Sequence, residues 1–362
     1  MLDEGIGCSS VMTRLNDGYS TGSCASGAAK AAALLLTGRD CGTAVDITLP
    51  GGERLSLPLL FVRRTEHGAE AAIRKDGGDD PDVTHGLTVI AEVQHIEGNG
   101  VEYCAGDGVG TVTLAGLSLP VGEAAINPTP RKMITAALRE ITSRGCRVTV
   151  SIPGGREIAK KTFNPRLGII GGLSVLGTTG KVRAFSLDAM RTSLLCGLNV
   201  AIAGGIEAPV FVPGNIGERA ARSHLKVKPL QVVDVGNEWG FMIDHAKRKG
   251  LSVLMAIGHP GKLAKLWVGD WDTHSSRSRS AVEPVRELAM RLTNAFVSDS
   301  PTVEGVFMAL AEGQREKVSD ALASHVRSAI EARMEGCCAA SVALVNMAGD
   351  WLGSSGDLSP WQ

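Results

Sequence analysis

The chain has 362 residues, more than one ordinary core organises and comfortable for two domains of about 100–200 residues each. A formal net charge of −1 and an aromatic content of 4% exclude a nucleic-acid binder that works through bulk positive charge or base stacking. Hydrophobic residues make up 44%, no apolar run approaches the ~18 residues of a membrane span, and the eight cysteines form no C-x-x-C pair, so a cytoplasmic protein with reduced thiols is expected.

The first ~16 residues carry no pattern and are expected to fray. An alanine-rich helix is predicted from about Ser23 to Leu36, with Gly38 suited to stop it. Val45–Leu49 alternates like a strand, Pro50-Gly51-Gly52-Glu53 turns it, and Arg54–Leu60 runs back. Ala71–Lys75, Leu87–Gln94 and Val109–Leu114 read as further strands, and Pro130–Ser143 as a helix with proline at its start. Strands and helices without strict alternation predict an α+β domain over residues 1–147. From residue 148 the texture changes. After the strand Val148–Ile152, three apolar strands appear, Val210–Val212, Leu230–Val235 and Leu251–Ile257, each followed by a glycine loop and a helix. That alternation predicts an α/β domain over 148–362 with a mostly parallel sheet, whose ligands bind at the carboxyl ends of the strands. Pro301–Met334 is helical by periodicity, Ser341–Met347 is a candidate late strand, and Gly353–Gln362 is expected to fray.

Five stretches offer chemistry. "GYSTGSCASGAAK" (18–30) places Ser20, Thr21 and Ser23 where they can cap the helix, or where its free N–H groups can cradle an anion. Gly22 and Gly27 have P-loop spacing, but Ala28 and Ala29 replace the Lys and Ser/Thr, which disfavours a nucleoside triphosphate. Cys24 has no evident histidine partner for nucleophilic work. "KDGGDDPDVTHG" (75–86) gathers Asp79, Asp80, Asp82 and His85; it is a solvated turn, a hard-cation site, or a ligand loop in which Asp accepts and His85 moves a proton, the last being preferred. "IPGGREIAKKTFNPRLG" (152–168) holds Arg156, Lys160, Lys161 and Arg166, either a solvated face or a seat for an anionic ligand. The glycines at 168–180 give no dinucleotide fingerprint and suit close packing or approach to a cofactor. His259, in Gly258-His259-Pro260-Gly261-Lys262, sits at a predicted strand end.

"GYSTGSCASGAAKAA", "DGGDDPDVTHG", "GDGVGTVT", "VGEAAINPTPRKMI", "PGGREIAKKTFNPRLGIIGGLSVLGTTG", "VPGNIGE" and "GHPGKLAKL…THS" occur in this order. Together they resemble the cobalt-precorrin-5B C1-methyltransferase family of cobalamin (corrin ring) biosynthesis, over roughly Gly18 to Ser275. The resemblance implies S-adenosylmethionine as methyl donor and a tetrapyrrole acceptor that brings its own cobalt, with no metal site in the protein. Positions matching the family include Thr21, Gly22, Asp79, Asp80, Asp82, His85, Asn127, Lys160, Lys161, Asn164, Arg166, Gly214, Asn215, Gly217, His259 and His274. Two departures stand out: Leu114-Ala115-Gly116 where Lys-Pro-Gly is usual, and Ser276-Arg277 where an Ala-Asp pair is expected.

An acid-decorated ring calls for a basic, glycine-lined cleft. Thr21, Gly22, Ser23, Lys160, Lys161 and Arg166 are therefore assigned to the macrocycle, and Gly214, Asn215, Gly217, Gly258, Asp79 and Asp80 to the donor. His85 and His259 are the candidate bases. A binding or handover protein without catalysis is the alternative, with an ATP- or metal-dependent enzyme using the Asp-rich loop behind it. A homodimer is the expected assembly, with no nucleic-acid or membrane partner.

Overall fold

The structure is a computed structural model and describes residues 16–183, 186–294, 297 and 299–362. Fraying expected of residues 1–15 lies outside these. Two compact units are present, one through Thr113 together with Ser118–Ser186, the other Leu114–Leu117 together with Leu187–Gln362.

The first unit runs β1 (Gly18–Tyr19), α1 (Thr21–Leu36), β2 (Ala44–Thr48), β3 (Arg54–Pro58), β4 (Phe61–Arg64), β5 (Ala69–Arg74), β6 (Thr88–Ile96), β7 (Val101–Ala105), β8 (Thr111–Val112), α2 (Pro128–Arg139), β9 (Gly145–Ser151), α3 (Gly155–Ala159), β10 (Ile169–Ile170) and β11 (Lys181–Val182). Its main sheet has the order β4-β5-β6-β9-β7. Every pair is antiparallel except β7 with β9. Helix α1 is buried continuously from Thr21 to Ala33. A helix apolar and small all round suits such a position, because alanine lets neighbouring elements approach from every side. At Gly27 even a methyl group would come within 2.8 Å of Ile73 and Leu57 side chains.

The boundary expected at 147/148 falls inside β9. Val148 pairs with Val93 on one side and with Tyr103 on the other, so the chain cannot part there. Residues beyond it stay in the first unit: β10 pairs with β8, β11 with β1, and bridges join Val109 to Leu173 and Ile126 to Val175. The predicted strand 109–114 shortens to β8 because this interlocking leaves no regular ladder. Glycine makes it feasible. Gly108 accepts from the Leu173 N–H, and side chains at Gly155 or Gly172 would overlap the Gly108 carbonyl. The departure at 114–116 is local to the second unit, where Gly116, with φ +101°, lies against the Asn199 carbonyl.

The second unit runs α4 (Leu187–Ala203), β12 (Val210–Val212), α5 (Asn215–His224), β13 (Val232–Asp234), α6 (Trp239–Arg248), β14 (Val253–Gly258), α7 (Pro260–Trp267), α8 (Val282–Thr293), α9 (Val303–Met308), α10 (Glu312–Arg333), β15 (Ala339–Val345) and β16 (Trp351–Ser355). The sheet order is β13-β12-β14-β15-β16, parallel except for β16. Alternate residues of each strand serve opposite faces. Phe211, Leu254, Ala256, Val342 and Leu344 pack with α4, α6, α7 and α10. Val210, Val212, Met255 and Ile257 pack with Ala220 and Ala221 of α5 and with Trp361. The tail expected to fray is instead fixed. β16 pairs with β15, and the buried Trp361 donates from Nε1 to the Ala208 carbonyl at 2.9 Å.

Candidate functional site

In the first unit, the N-terminus of α1 is closed by its own chain. Ser20 caps it, its Oγ accepting from the Ser23 N–H at 3.1 Å. The Gly22 N–H donates to the Leu176 carbonyl at 3.0 Å. Thr21 Oγ1 donates to the Leu176 carbonyl at 3.2 Å and accepts from its N–H at 3.0 Å, and Ser23 Oγ donates to the Gly180 carbonyl at 2.6 Å. Ser20, Thr21 and Ser23 are all buried. The capping reading of this stretch holds, and the anion cradle assigned to Thr21, Gly22 and Ser23 is corrected: the Gly22 N–H and the two hydroxyls are spent on the 176–180 loop, and the Ser23 N–H on the Ser20 cap. Replacing Ser20 with alanine is expected to cost about 1 kcal/mol of stability, read from denaturant melts, because one N–H loses its acceptor. Cys24 lies beneath, and burial drives its pKa up to about 12 despite the nearby Lys75 charge, so it is inert as a nucleophile.

The Asp-rich loop joins β5 to β6 over this helix end. Lys75 is 2% exposed and pairs with Asp82 at 2.5 Å. Asp82 also accepts from the Thr84 N–H and hydroxyl at 2.8 and 2.6 Å. Burial raises the Asp82 pKa, but the bonds from Lys75 and Thr84 outweigh it and hold the carboxyl below its usual range. Asp79 accepts from the Asn16 N–H at 2.6 Å and Asp76 from the Gly78 N–H at 2.9 Å. These carboxylates build the loop rather than converge, and among the described residues no three His, Cys, Asp or Glu side chains gather as metal ligands. His85 accepts at Nδ1 from the Gly77 N–H at 3.0 Å, which leaves its proton on Nε2, in a ring more than half exposed.

Lys160, Lys161 and Arg166 are exposed on the stretch that follows β9. Lys160 pairs with Glu157 at 2.7 Å, and the Arg166 guanidinium stands 6.0 Å over the Phe163 ring. Phe163, Ile170 and Leu176 of the same stretch are large apolar side chains left half exposed. The buried Asn164 anchors it, accepting from Ser174 Oγ at 3.2 Å.

In the second unit, β12 leads through α5 to β13 on one side, whereas β14 leads through α7–α10 to β15 on the other. Neighbouring strands whose connections diverge create a crevice at their carboxyl ends, the usual ligand position in open α/β sheets. Gly214, Asn215, Gly217 and Gly258 fall there. Gly214 has φ +95° and open space where a side chain would project. A side chain at Gly217 would come within 2.9 Å of Val212 Cβ and the Ile257 carbonyl, and one at Gly258 within 3.0 Å of Pro213. Gly217 and Gly258 therefore seat α5 against the two strands, while Gly214 opens outward. Asn215 begins α5 and is exposed.

His259 caps α7, its Nδ1 accepting from the Gly261 N–H at 3.0 Å, so Nε2 donates to Glu304 at 2.6 Å. Both ring nitrogens are occupied, and the expectation of a free base at His259 is corrected. Further polar groups line this edge. Lys262 donates to Asn237 Oδ1 at 3.0 Å, and burial lowers its pKa, only partly offset by Asp234. The Thr273 hydroxyl also donates to Asn237 Oδ1, at 3.1 Å. Glu238, 2% exposed, pairs with Arg191 at 2.7 Å and faces Arg277 at 3.6 Å. Arg277 also binds Asp272 at 2.5 Å, so the departure from Ala-Asp installs a cation between two carboxylates. No short stretch marks these groups, because Asn237 and Lys262 meet only when the fold brings two separate strand-end loops to one edge of the sheet. Asp79 and Asp80, assigned with the glycines to the donor, belong to the other unit.

Among the described residues no helix is long and apolar enough to cross a membrane. Residues 9–184 match the CbiD family. The chain is 54% identical to the cobalt-precorrin-5B C(1)-methyltransferase of Syntrophotalea carbinolica, over 97% of this chain and 100% of that one. It is 45% identical to the protein of the same name from Desulfitobacterium hafniense, over 80% and 76%. A crystal structure of a cobalamin biosynthesis protein (cbiD) from Archaeoglobus fulgidus is similar at 29% identity, covering 73% of this chain and 83% of that one, with a TM-score of 0.39.

Proposed function

We infer the activity from one premise: this chain belongs to the CbiD family. It transfers a methyl group to ring carbon C1 of cobalt-precorrin-5B, with S-adenosylmethionine as the donor, giving cobalt-precorrin-6A in corrin-ring synthesis. The cobalt arrives in the macrocycle as part of the substrate. The donor supplies a methyl carbon activated by a sulfonium, and the conjugated ring supplies the electron pair, so the protein's task is to orient the two and exclude water.

The observation that best supports a donor site is the crevice between β12 and β14, where Gly214 leaves room for backbone approach and Gly217 and Gly258 let α5 sit close to the strands. Asn215 and Lys262 offer polar groups at its rim. The macrocycle's carboxylates are assigned to Lys160, Lys161 and Arg166, and its apolar plane to Phe163 and Ile170 beside them. Where a proton must move, His85 is the imidazole with an outward Nε2. The test is single-turnover methyl transfer from S-adenosylmethionine to cobalt-precorrin-5B, read by the mass gain of one methylene. Binding of both without transfer would favour handover over catalysis. The triple variant K160E/K161E/R166E is expected to raise KM for the macrocycle tenfold or more, on the order of three exposed charge contacts, with kcat little changed. Wild-type KM is expected to rise with ionic strength.

A further inference from the structure

We propose that Asp234 holds the ribose hydroxyls of the methyl donor. This rests on the placement of the donor at the β12–β14 crevice and names the side chain that selects its sugar. Asp234 is the last residue of β13 and stands in register with Val212, the last residue of β12, so its carboxylate lies at the edge where the 213–217 turn begins. It follows Gly214 by 20 residues. In strand–glycine turn–helix–strand units that bind nucleotides, a carboxylate about 20 residues past the turn accepts from the ribose hydroxyls. The glycine chemistry here follows the same division, Gly214 open with positive φ and Gly217 packed against the strands.

The carboxylate is both fixed and available. Its Oδ1 accepts from the Gly236 N–H at 2.8 Å, which holds the group in place. Among the described residues its Oδ2 takes no hydrogen bond, and no cation stands within ion-pair distance. Lys262, the cation whose charge it feels, is bonded to Asn237 instead. The neighbouring acid, Glu238, is 2% exposed between Arg191 and Arg277; its Oε2 is bonded to Arg191 and its Oε1 has no hydrogen-bond partner among the described residues, but burial keeps both oxygens from a ligand entering at the sheet edge. An ionised carboxylate only accepts, so it suits a pair of hydroxyl donors and repels a ribose phosphate.

Calorimetry on the full chain with S-adenosylhomocysteine and its 2′,3′-dideoxy analogue tests the assignment. Wild-type protein is expected to bind the analogue about 10- to 100-fold more weakly, the value of hydrogen bonds to a charged group. Asp234→Asn keeps the acceptor for Gly236, so the turn persists. It is expected to lose a similar factor toward S-adenosylhomocysteine and little more toward the analogue. Equal binding of the two ligands by wild type overturns the proposal without any variant, and so does a full analogue penalty persisting in Asp234→Asn. If wild type fails to bind S-adenosylhomocysteine, or if Gly214→Val binds it normally, the crevice itself is the wrong place and the proposal falls with it.

Discussion

Replacing Lys75 with methionine is expected to lower stability by about 3–5 kcal/mol at pH 7, the cost of leaving a partly buried carboxylate without its partner. Lys75 is 2% exposed, and its ammonium meets Asp82 at 2.5 Å beneath the 75–86 loop. Methionine fills the space but supplies no charge. The two Thr84 bonds to Asp82 remain and do not replace the cation. Thermal and denaturant melts give the magnitude. In K75M/D82N the carboxylate is gone as well, and most of the loss is expected to return, because removing both partners spares the uncompensated charge. A double variant as unstable as K75M alone would show that Lys75 acts through packing.

The pH dependence separates the same two causes. The Asp82 carboxyl titrates below its usual range when folded. Its contribution is therefore fully present above the unfolded pKa, about 4, and disappears as pH falls through the lower folded value. In K75M a protonated Asp82 no longer needs an ammonium. The stability gap between wild type and K75M should be widest near neutrality and narrow in acid. A gap constant from pH 7 to pH 3 would again point to packing.

Local signals made much of the fold legible. Alanines and a capping serine announced α1, prolines announced α2, and three strand–glycine–helix units announced the parallel sheet of the second unit. What stayed hidden depends on partners distant in sequence. β9 reads as the start of something new because it is a regular strand after a helix, yet its two neighbours, β6 and β7, were already synthesised. Gly155 and Gly172 fall in stretches that look like ligand loops by composition, and both pack against Gly108. Their purpose is to let three backbones cross, which no single stretch reveals. Thr21 and Ser23 likewise look available until the 176–180 loop is placed over them. Gly214, Asn215, Gly217 and Gly258 were identifiable because strand-end position follows from order along the chain alone. Asp234 and Lys262 were not, since nothing in a short window says that β13 lies beside β12 or that α7 begins where Asn237 can meet it.

Gly214→Val is expected to abolish donor binding while leaving the fold intact, with kcat/KM falling by 10² or more. Gly214 sits at φ +95° and ψ −162°, a region effectively closed to a branched side chain. Valine would force the turn into another conformation and re-aim the Asn215 end of α5, displacing the backbone from the crevice. Positioning errors of about 1 Å are enough to cost a factor of 10² in a reaction that depends on alignment. Stability should suffer less than activity, because nothing lies within 4 Å of the added Cβ and the strain can relax into open space. Gly217→Ala supplies the contrast. Its methyl meets Val212 and the Ile257 carbonyl at 2.9 Å, so melting temperature should fall along with activity. Initial rates at varied S-adenosylmethionine, paired with melts of both variants, read the two effects apart. Wild-type donor KM in Gly214→Val would remove the crevice from the reaction, whatever the variant's stability.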